Sequence, residues 1–263
     1  MLGSIARFTN DSVGLEKSLK FVQSVSQIGE SIAAPYFFEA AHWTLAKEQV
    51  GLARRYFRLF KWIDCFNAAQ AEYARINNKP EVKADEVHAQ KLTRTSSEDD
   101  VRQLLSVSKW SFLGIYLFME MFTISNALSI TSYSWGPTLQ MESLKFWFYS
   151  LAVSFVLGIY DLWLMSAAES ESQPTDTSTT DSGSTENEKA TKGAQAPQHT
   201  KDASAQLSSK RRAIYKQIVQ DGCDMLIPAS IVGWVQLDPV TVGVAGSISA
   251  LLGASDAWNR VNQ

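Results

Sequence analysis

The chain has 263 residues, of which 45% are hydrophobic and 19% are charged, and its formal net charge is −3 at pH 7. This length suits one or two domains, and the charge gives no general preference for nucleic acid or another polyanion. Cys65 and Cys223, the two cysteines, are far apart in sequence. They provide neither a disulfide framework nor metal-ligand spacing, which indicates a reducing compartment.

The N-terminal region, residues 1–100, is predicted to consist of amphipathic helices. Apolar residues recur at helical spacing over residues 15–33, directly after a group of polar capping candidates at positions 9–12. Pro35 interrupts this pattern. A second helical run is predicted over residues 36–76, because the sequence Asn77-Asn78-Lys79-Pro80 then stops it.

A basic amphipathic helix is predicted within this second run, over residues 47–66. When successive residues are placed about 100° apart, apolar side chains fall on one face and cations on the opposite face. Such a helix can lie in the head-group plane of a membrane, with its cations near anionic lipids. The pattern alone is equally compatible with an ordinary bundle helix that has a solvated basic face. The candidate membrane-binding residues are Leu52, Tyr56, Leu59, Ile63 and Phe66 on the apolar face and Lys47, Arg54, Arg58 and Lys61 on the basic face.

Residues 101–168 are predicted to form an apolar helical hairpin embedded in a membrane. The blocks 110–131 and 146–165 each have about the 20 residues that cross a bilayer, and turn-forming residues separate them at 134–138. A buried hairpin in a soluble bundle is the alternative, because Glu120 lies in the middle of the first block. A carboxylate there costs about 2.5–3.5 kcal/mol on insertion scales.

Two further regions complete the chain. Residues 169–209 are rich in small polar and charged residues and are predicted to be a disordered linker. Residues 210–263 are predicted to hold an amphipathic helix that ends near Pro228 and an apolar helix over residues 240–254. The apolar helix is rich in small residues such as Gly246 and Ala250, which favours close helix pairing, but it is short for a membrane span unless it extends to Trp258. The expected fold is therefore an all-α, membrane-associated helical bundle with two to three apolar segments.

The sequence gives little indication of catalysis. It has no Gly-rich phosphate loop, no zinc-protease motif and no nucleophile elbow. The histidines His42, His88 and His199 are scattered, without metal-ligand spacing. Short basic clusters on amphipathic helices also do not predict nucleic-acid binding. We therefore expect no enzymatic activity, no cofactor and no metal.

Four parts of the chain, taken in order, resemble the peroxisomal biogenesis factor 11 (peroxin-11) family. Together they cover nearly the whole chain outside the linker. They are the opening helix at residues 14–23, the basic segment at 52–61, the apolar segment at 146–169, and a C-terminal signature of Cys223-Asp224-Met225-Leu226-Ile227-Pro228, Gly233-Trp234 and the small residues after Pro239.

This resemblance implies a peroxisomal membrane protein that remodels and elongates the membrane through its amphipathic helix and promotes peroxisome proliferation and fission. The implied partners are anionic membrane lipids, further copies of the chain, and the division machinery, including a dynamin-related GTPase. A pore for small metabolites is the alternative function. In that case Glu120 and Asp161 would line the pathway, because carboxylates inside a membrane are candidate functional groups.

Overall fold

The structure, a computed structural model, describes residues 2–77, 86–172 and 198–263. In these residues every regular element is a helix, which confirms the predicted all-α class. The helices are α1 (Leu2–Asn10), α2 (Ser12–Ala33), α3 (Phe37–Phe57), α4 (Lys61–Asn77), α5 (Glu86–Ala127), α6 (Gly136–Ser172), α7 (Gln198–Val232) and α8 (Pro239–Asn262).

Side-chain caps fix the start of two helices. The Asp11 carboxylate accepts a hydrogen bond from the backbone N–H of Gly14 at 2.8 Å and begins α2, which agrees with the helix predicted over residues 15–33. Asp238 likewise accepts from the N–H of Val240 at 3.1 Å and begins α8, with Pro239 at the first helical position. The capping side chains therefore determine where α2 and α8 begin.

The helix α7 does not end near Pro228, as the sequence predicted, but continues to Val232. It ends where Gly233 adopts a φ of +83°, which a residue without Cβ does at little cost. The N–H of Trp234 then donates to the carbonyl of Ala229 at 3.0 Å and closes the helix end. Pro228 itself is fully buried.

The single helix predicted over residues 36–76 is interrupted. The N–H of Arg58 donates to the carbonyl of Arg55 at 3.2 Å, and that of Lys61 donates to the carbonyl of Arg58 at 3.1 Å. These bonds span three residues instead of four, so they tighten the backbone between α3 and α4. A helical wheel drawn continuously over residues 47–66 therefore loses its phase at this break.

Six of the described helices, α2, α3, α5, α6, α7 and α8, form a ring, and α4 packs against α5 beside it. The helix α2 packs on α3 and α8, α8 packs on α7, α7 on α6, and α6 on α5. A smaller contact between α3 and α5 closes the ring, while α1 packs on α2 and α8. The two ends of the chain are thus joined through α2 and α8.

The ring has polar groups inside and apolar groups outside. Its buried polar side chains include Glu16, Lys20, Glu120, Asp221, Asp224 and Ser249. Its exposed apolar side chains include Val156, Ile159 and Trp163 on α6 and Val244, Ile248 and Leu251 on α8. Extended exposed apolar surface of this kind is typical of a membrane-facing or partner-facing protein.

Two helices in the described part of the chain are long and apolar enough to cross a membrane by length and composition, namely Gly136–Ala168 in α6 and Pro239–Asn262 in α8. Only 11% of the apolar window of α6 is buried, unlike a soluble core helix. The predicted helix at 240–254 extends to Asn262, past Trp258. The predicted block at 110–131 is not among these candidates, because polar residues such as Glu120 interrupt it.

Helical backbone reaches beyond the predicted apolar segments. The helix α5 begins at Glu86, within the region 1–100 that precedes the predicted hairpin. At the predicted linker, α6 continues to Ser172 and α7 begins at Gln198, so both ends of residues 169–209 have helical backbone. Positions 173–197 lie outside the described residues.

Small residues of α8 allow it to pack closely on α2, so replacing Gly243 should loosen the ring. A Cβ at Gly243 would lie 2.6 Å from Cγ1 of Ile28 and 3.0 Å from the backbone oxygen of Ser24. We expect Gly243→Val to lower the free energy of unfolding by about 1–3 kcal/mol, the usual cost of overpacking. Thermal unfolding in detergent, followed by circular dichroism, measures this.

Gly222 provides the control. A Cβ there would make an ordinary contact, 3.6 Å from the ring of Phe155. Gly222→Ala should leave the melting temperature unchanged or raise it, since alanine favours a helix over glycine by about 1 kcal/mol. Equal melting temperatures for Gly243→Val and the unsubstituted protein would contradict the close packing of α2 and α8.

Candidate functional site

Three of the four cations of the predicted basic face point into the protein. Arg54 donates two hydrogen bonds to Oε1 of Glu16, at 2.8 and 3.1 Å, and one to Oε1 of Gln23 at 2.6 Å. Lys47 forms an ion pair with Glu30, also on α2. Three of the four cations predicted to meet lipid, including Arg58 described below, are therefore bound to carboxylates of other helices.

Arg58 forms a buried cluster with α5. Its Nη2 donates to Oε1 of Glu120 at 2.8 Å, and its guanidinium lies 5.6 Å from the ring centroid of Tyr116. The Tyr116 hydroxyl donates to the same carboxylate oxygen at 3.0 Å, and Nε of Arg55 lies 3.7 Å from it. Although burial opposes the charged form, Glu120 holds the pKa of Arg58 above its ordinary value.

Glu16 is ionised at the centre of the α2–α3 contact. Burial opposes its charged form, but the cations Lys17, Arg54 and Arg58 outweigh that effect and hold the pKa of Glu16 well below its ordinary value. Its side chain is only 9% exposed. Removing one member of such a buried pair leaves the other charge without compensation.

A second buried ion pair connects three helices. Nζ of Lys20 on α2 lies 2.5 Å from Oδ1 of Asp224 on α7 and donates to the hydroxyl of Ser249 on α8 at 2.7 Å. Burial lowers the pKa of Lys20 to about 8, against the opposite influence of Asp224. This pair fixes α2 against the C-terminal half of the ring.

The outer surface of α3 and α4 is apolar and aromatic. Phe60 is 63% exposed, and Tyr56, Phe57, Ile63 and Phe66 are each more than one-third exposed. We call these five residues the outer aromatic face. They lie at the C-terminal end of α3, at the break and at the start of α4.

The structure divides the nine candidate membrane-binding residues into two groups. Tyr56, Ile63 and Phe66 belong to the outer aromatic face, while Leu59 and Lys61 are half-buried near it. Lys61 forms no ion pair within the described residues. The inward group consists of Leu52, Lys47, Arg54 and Arg58, which all line a central cavity.

The cavity occupies the middle of the ring and has a volume of about 1080 Å³. Helices α2, α3, α5, α6, α7 and α8 all contribute to its wall. Its lining combines the charged groups described above, including Lys20 and Glu120, with apolar side chains such as Leu144 and Trp147. A chamber of this size can hold a small molecule.

The two carboxylates proposed for a transport pathway lie apart. Glu120 lines the central cavity, whereas Asp161 is not part of its wall. Asp161 instead accepts from Arg102 of α5, at 2.6 Å from Nε to Oδ1, and the side chain of Arg102 is mostly exposed. Asp161 thus joins α5 to α6 outside the cavity.

Sequence reasoning missed the acidic partners on α2 and the Lys20–Asp224 pair. The sequence contains a pattern that could have indicated these partners. Polar residues three or four positions apart form a stripe along α2, namely Glu16, Lys20, Gln23, Gln27 and Glu30. Val22 and Val25, which belong to the apolar stripe of the same helix, are exposed. The polar stripe is therefore the inward one.

Comparison with known proteins gives one finding. A family model described as peroxisomal biogenesis factor 11 matches residues 2–88 and 82–258. No match was found among curated proteins or among solved structures. The matched residues include both the ion-paired helices α2 and α3 and the apolar helices α6 and α8.

The depressed pKa of Glu16 predicts a specific pH dependence. A carboxylate whose pKa is lower in the folded state stabilises the protein above its unfolded pKa, about 4.5, and loses this contribution as the pH falls towards the folded pKa. We expect Glu16→Gln to lower the free energy of unfolding at pH 7 by about 3–5 kcal/mol, as for other broken buried pairs.

The difference between Glu16→Gln and the unsubstituted protein should shrink progressively as the pH falls below about 5, because the unfolded chain takes up a proton at Glu16 there while the folded chain keeps this carboxylate ionised. Chemical unfolding in detergent at several pH values measures it. Glu142→Gln is the control, since Glu142 forms an exposed pair with Lys145 and should change stability by less than about 1 kcal/mol. A difference independent of pH would contradict the assignment of an ionised Glu16.

Proposed function

Because the chain belongs to the peroxisomal biogenesis factor 11 family, it is a peroxisomal membrane protein with a role in peroxisome biogenesis, and we propose that it remodels and elongates this membrane. The observation that carries the proposal is the outer aromatic face of α3 and α4. It belongs to a bundle in which α6 and α8 are long and apolar enough to span the bilayer. Through this remodelling, the protein would promote peroxisome proliferation and fission.

The proposed mechanism is insertion of the outer aromatic face into one leaflet. A large apolar side chain gains about 1.5–3 kcal/mol when it is fully removed from water. Phe57, Phe60 and Ile63 are partly exposed, so together they supply several kcal/mol at most. Side chains that enter one leaflet only expand it relative to the other, and many copies of the chain would favour a curved, elongated membrane.

The cations have divided roles in this mechanism. Lys61 is close to the outer aromatic face and has no ion-pair partner in the described part of the chain, so we propose that it contacts anionic head groups. Lys47, Arg54 and Arg58 would meet lipid only by exchanging Glu30, Glu16 and Glu120 for a head group. Their role in the present arrangement is to hold α3 against the ring.

Self-association and contact with the division machinery, including a dynamin-related GTPase, complete the proposal. Both are supported by family membership. The exposed apolar residues of α6 and α8 offer surfaces on which copies can meet within the bilayer. Crosslinking between two differently tagged copies in vesicles tests self-association.

Membrane remodelling should depend on the outer aromatic face and not on any aromatic surface. We expect the combined variant Phe57→Gln, Phe60→Gln and Ile63→Gln to reduce the fraction of tubulated vesicles at least tenfold. The protein should remain membrane-integrated, because α6 and α8 are unchanged. Electron microscopy of vesicles containing anionic lipid measures tubulation, and flotation measures integration.

The matched control is the variant Tyr73→Gln, Val101→Gln and Leu104→Gln. These three apolar side chains are similarly exposed but lie on α4 and α5 away from the break. The control should tubulate vesicles like the unsubstituted protein. Full tubulation by the Phe57, Phe60 and Ile63 variant would reject insertion of this face as the mechanism.

A pore for small metabolites is the second candidate function, and the central cavity favours it. A chamber with charged groups on its wall, inside a ring with an apolar exterior, is the arrangement that a transmembrane pathway requires. Such a pathway would include Glu120. It would not include Asp161, which pairs with Arg102 outside the cavity.

Chemical blocking of the cavity separates the pore from remodelling. In a Cys65→Ala, Cys223→Ala background, Leu52→Cys places a thiol on the cavity wall, whereas Tyr73→Cys places one on the outside of α4. If the protein is a pore, a polar methanethiosulfonate reagent should reduce solute flux from vesicles severalfold only in the Leu52→Cys variant. Equal flux before and after labelling would reject the pore without affecting the remodelling proposal.

A further inference from the structure

The wall of the central cavity has two chemically different parts. One part is apolar and is formed by Leu144, Trp147, Ile227, Ile231 and Val242. The other is cationic and is formed by Lys20 with the three arginines at the end of α3. A ligand that covers both parts must itself have an apolar portion and an anionic portion.

The cationic part of the wall contains one charge more than its partners neutralise. Lys20 pairs with Asp224, Arg54 with Glu16, and Arg58 with Glu120. Nε of Arg55 lies 3.7 Å from Oε1 of Glu120, but the same oxygen is already bound by Nη2 of Arg58 at 2.8 Å. Within the described residues, the Arg55 guanidinium is therefore the group on the cavity wall that lacks a carboxylate of its own.

The other carboxylates of the wall lie at its opposite end. Glu30 pairs with Lys47, and Gln27 donates to the carbonyl of Pro239 at 3.0 Å, which places Glu48 and Asp238 beside the C-terminal part of α2. Arg54 instead lies beside residues 16–23 of α2. At about 1.5 Å per residue, Glu48 lies about 10 Å from Arg55 along the axis of α3. Neither Glu48 nor Asp238 forms an ion pair with Arg55 in the described part of the chain.

We propose that the cavity binds an amphiphilic anion, with its acidic head group at Arg55 and its apolar part against Leu144 and Trp147. The head group is a carboxylate or a phosphate, since a guanidinium binds both through charge-assisted hydrogen bonds. These bonds are strengthened by the low dielectric constant of the surroundings. The binding site rests on the cavity and its charges, and it is independent of the remodelling proposal.

The route to the site lies between α3 and α5. The ring is closed there by its smaller contact, and Arg55 of α3 and Glu120 of α5 face each other across this junction. The same head group is presented by a lipid in the bilayer and by an amphiphile in solution. The experiment below therefore tests the two sources separately.

Dodecyl phosphate is the probe for an amphiphile in solution. Isothermal titration of the purified full-length chain in nanodiscs of zwitterionic lipid should show saturable binding. Dodecylphosphocholine, whose positive charge cancels that of the phosphate, should bind at least tenfold more weakly. Methyl phosphate, which lacks the apolar chain, should also bind at least tenfold more weakly. Partitioning of each probe into empty nanodiscs is subtracted.

Phosphatidic acid in the nanodisc is the probe for a membrane source. Native mass spectrometry should show it retained on the protein in preference to phosphatidylcholine. Retention of phosphatidic acid with weak dodecyl phosphate binding would assign the site to a membrane lipid. The reverse result would assign it to a soluble amphiphile.

Arg55→Gln should weaken whichever probe binds at least tenfold, and Arg55→Lys should retain most of the affinity. Arg75→Gln is the control, because Arg75 is exposed on α4 and pairs locally with Glu72. Equal binding to Arg55→Gln and to the unsubstituted chain would overturn the proposal. If Arg55→Gln does not fold, equal affinity for dodecyl phosphate and dodecylphosphocholine, with no preference for phosphatidic acid, would overturn it with the unsubstituted chain alone.

Discussion

The orientation of α3 depends on its ion pairs with carboxylates of neighbouring helices, above all Glu16 and Glu120. These two residues bind Arg54 and Arg58 and turn the basic face of α3 inwards. Each charged group is largely removed from water, so an unpaired charge here would cost several kcal/mol. The opposite face of the helix, with Tyr56 and Phe57, must then point away from the ring.

The need for buried polar contacts between helices also explains why the whole bundle has polar groups in its interior. In a membrane, the hydrophobic effect does not drive helices together, because lipid tails are as apolar as leucine. Close packing of small residues and polar contacts between helices must replace it. Gly243 and Gly246 of α8 fit against α2, and the Lys20–Asp224 pair joins α2 to α7. The polar interior is therefore what holds an apolar exterior in a defined arrangement.

Sequence reasoning identified most helices and the family, because helical periodicity, caps and apolar blocks are local features. Asp11 and Asp238 lie at the helix starts that their chemistry indicates. Reasoning failed where a local pattern had two interpretations. The end of α7 is one example, because Pro228 resembles a helix end in the sequence but lies within the helix. Gly233 provides the actual end, since its positive φ closes the last turn.

The direction in which a helix faces was the other step that the sequence did not determine. A helical wheel shows that Arg54 and Phe57 lie on different sides, but both a soluble and a membrane environment are consistent with that separation. The direction depends on Glu16 and Glu120, which are 38 and 62 residues away from their arginine partners. Contacts of this range are not visible in the periodicity of a single segment.

The two faces of α3 can therefore serve different purposes without conflict. Outward side chains such as Phe57 and Phe60 are available to the bilayer, while inward ones such as Leu52 and Arg55 line the cavity. Both faces of α3 require the ion pairs with α2 and α5, because these pairs determine which face points into the ring and which points outwards. Substitution of the carboxylates that hold these pairs should disturb both faces together, whereas substitution of a residue on one face should leave the other intact. The two faces are separate because the arginines of α3 bind the carboxylates of Glu16 and Glu120 instead of lipid head groups.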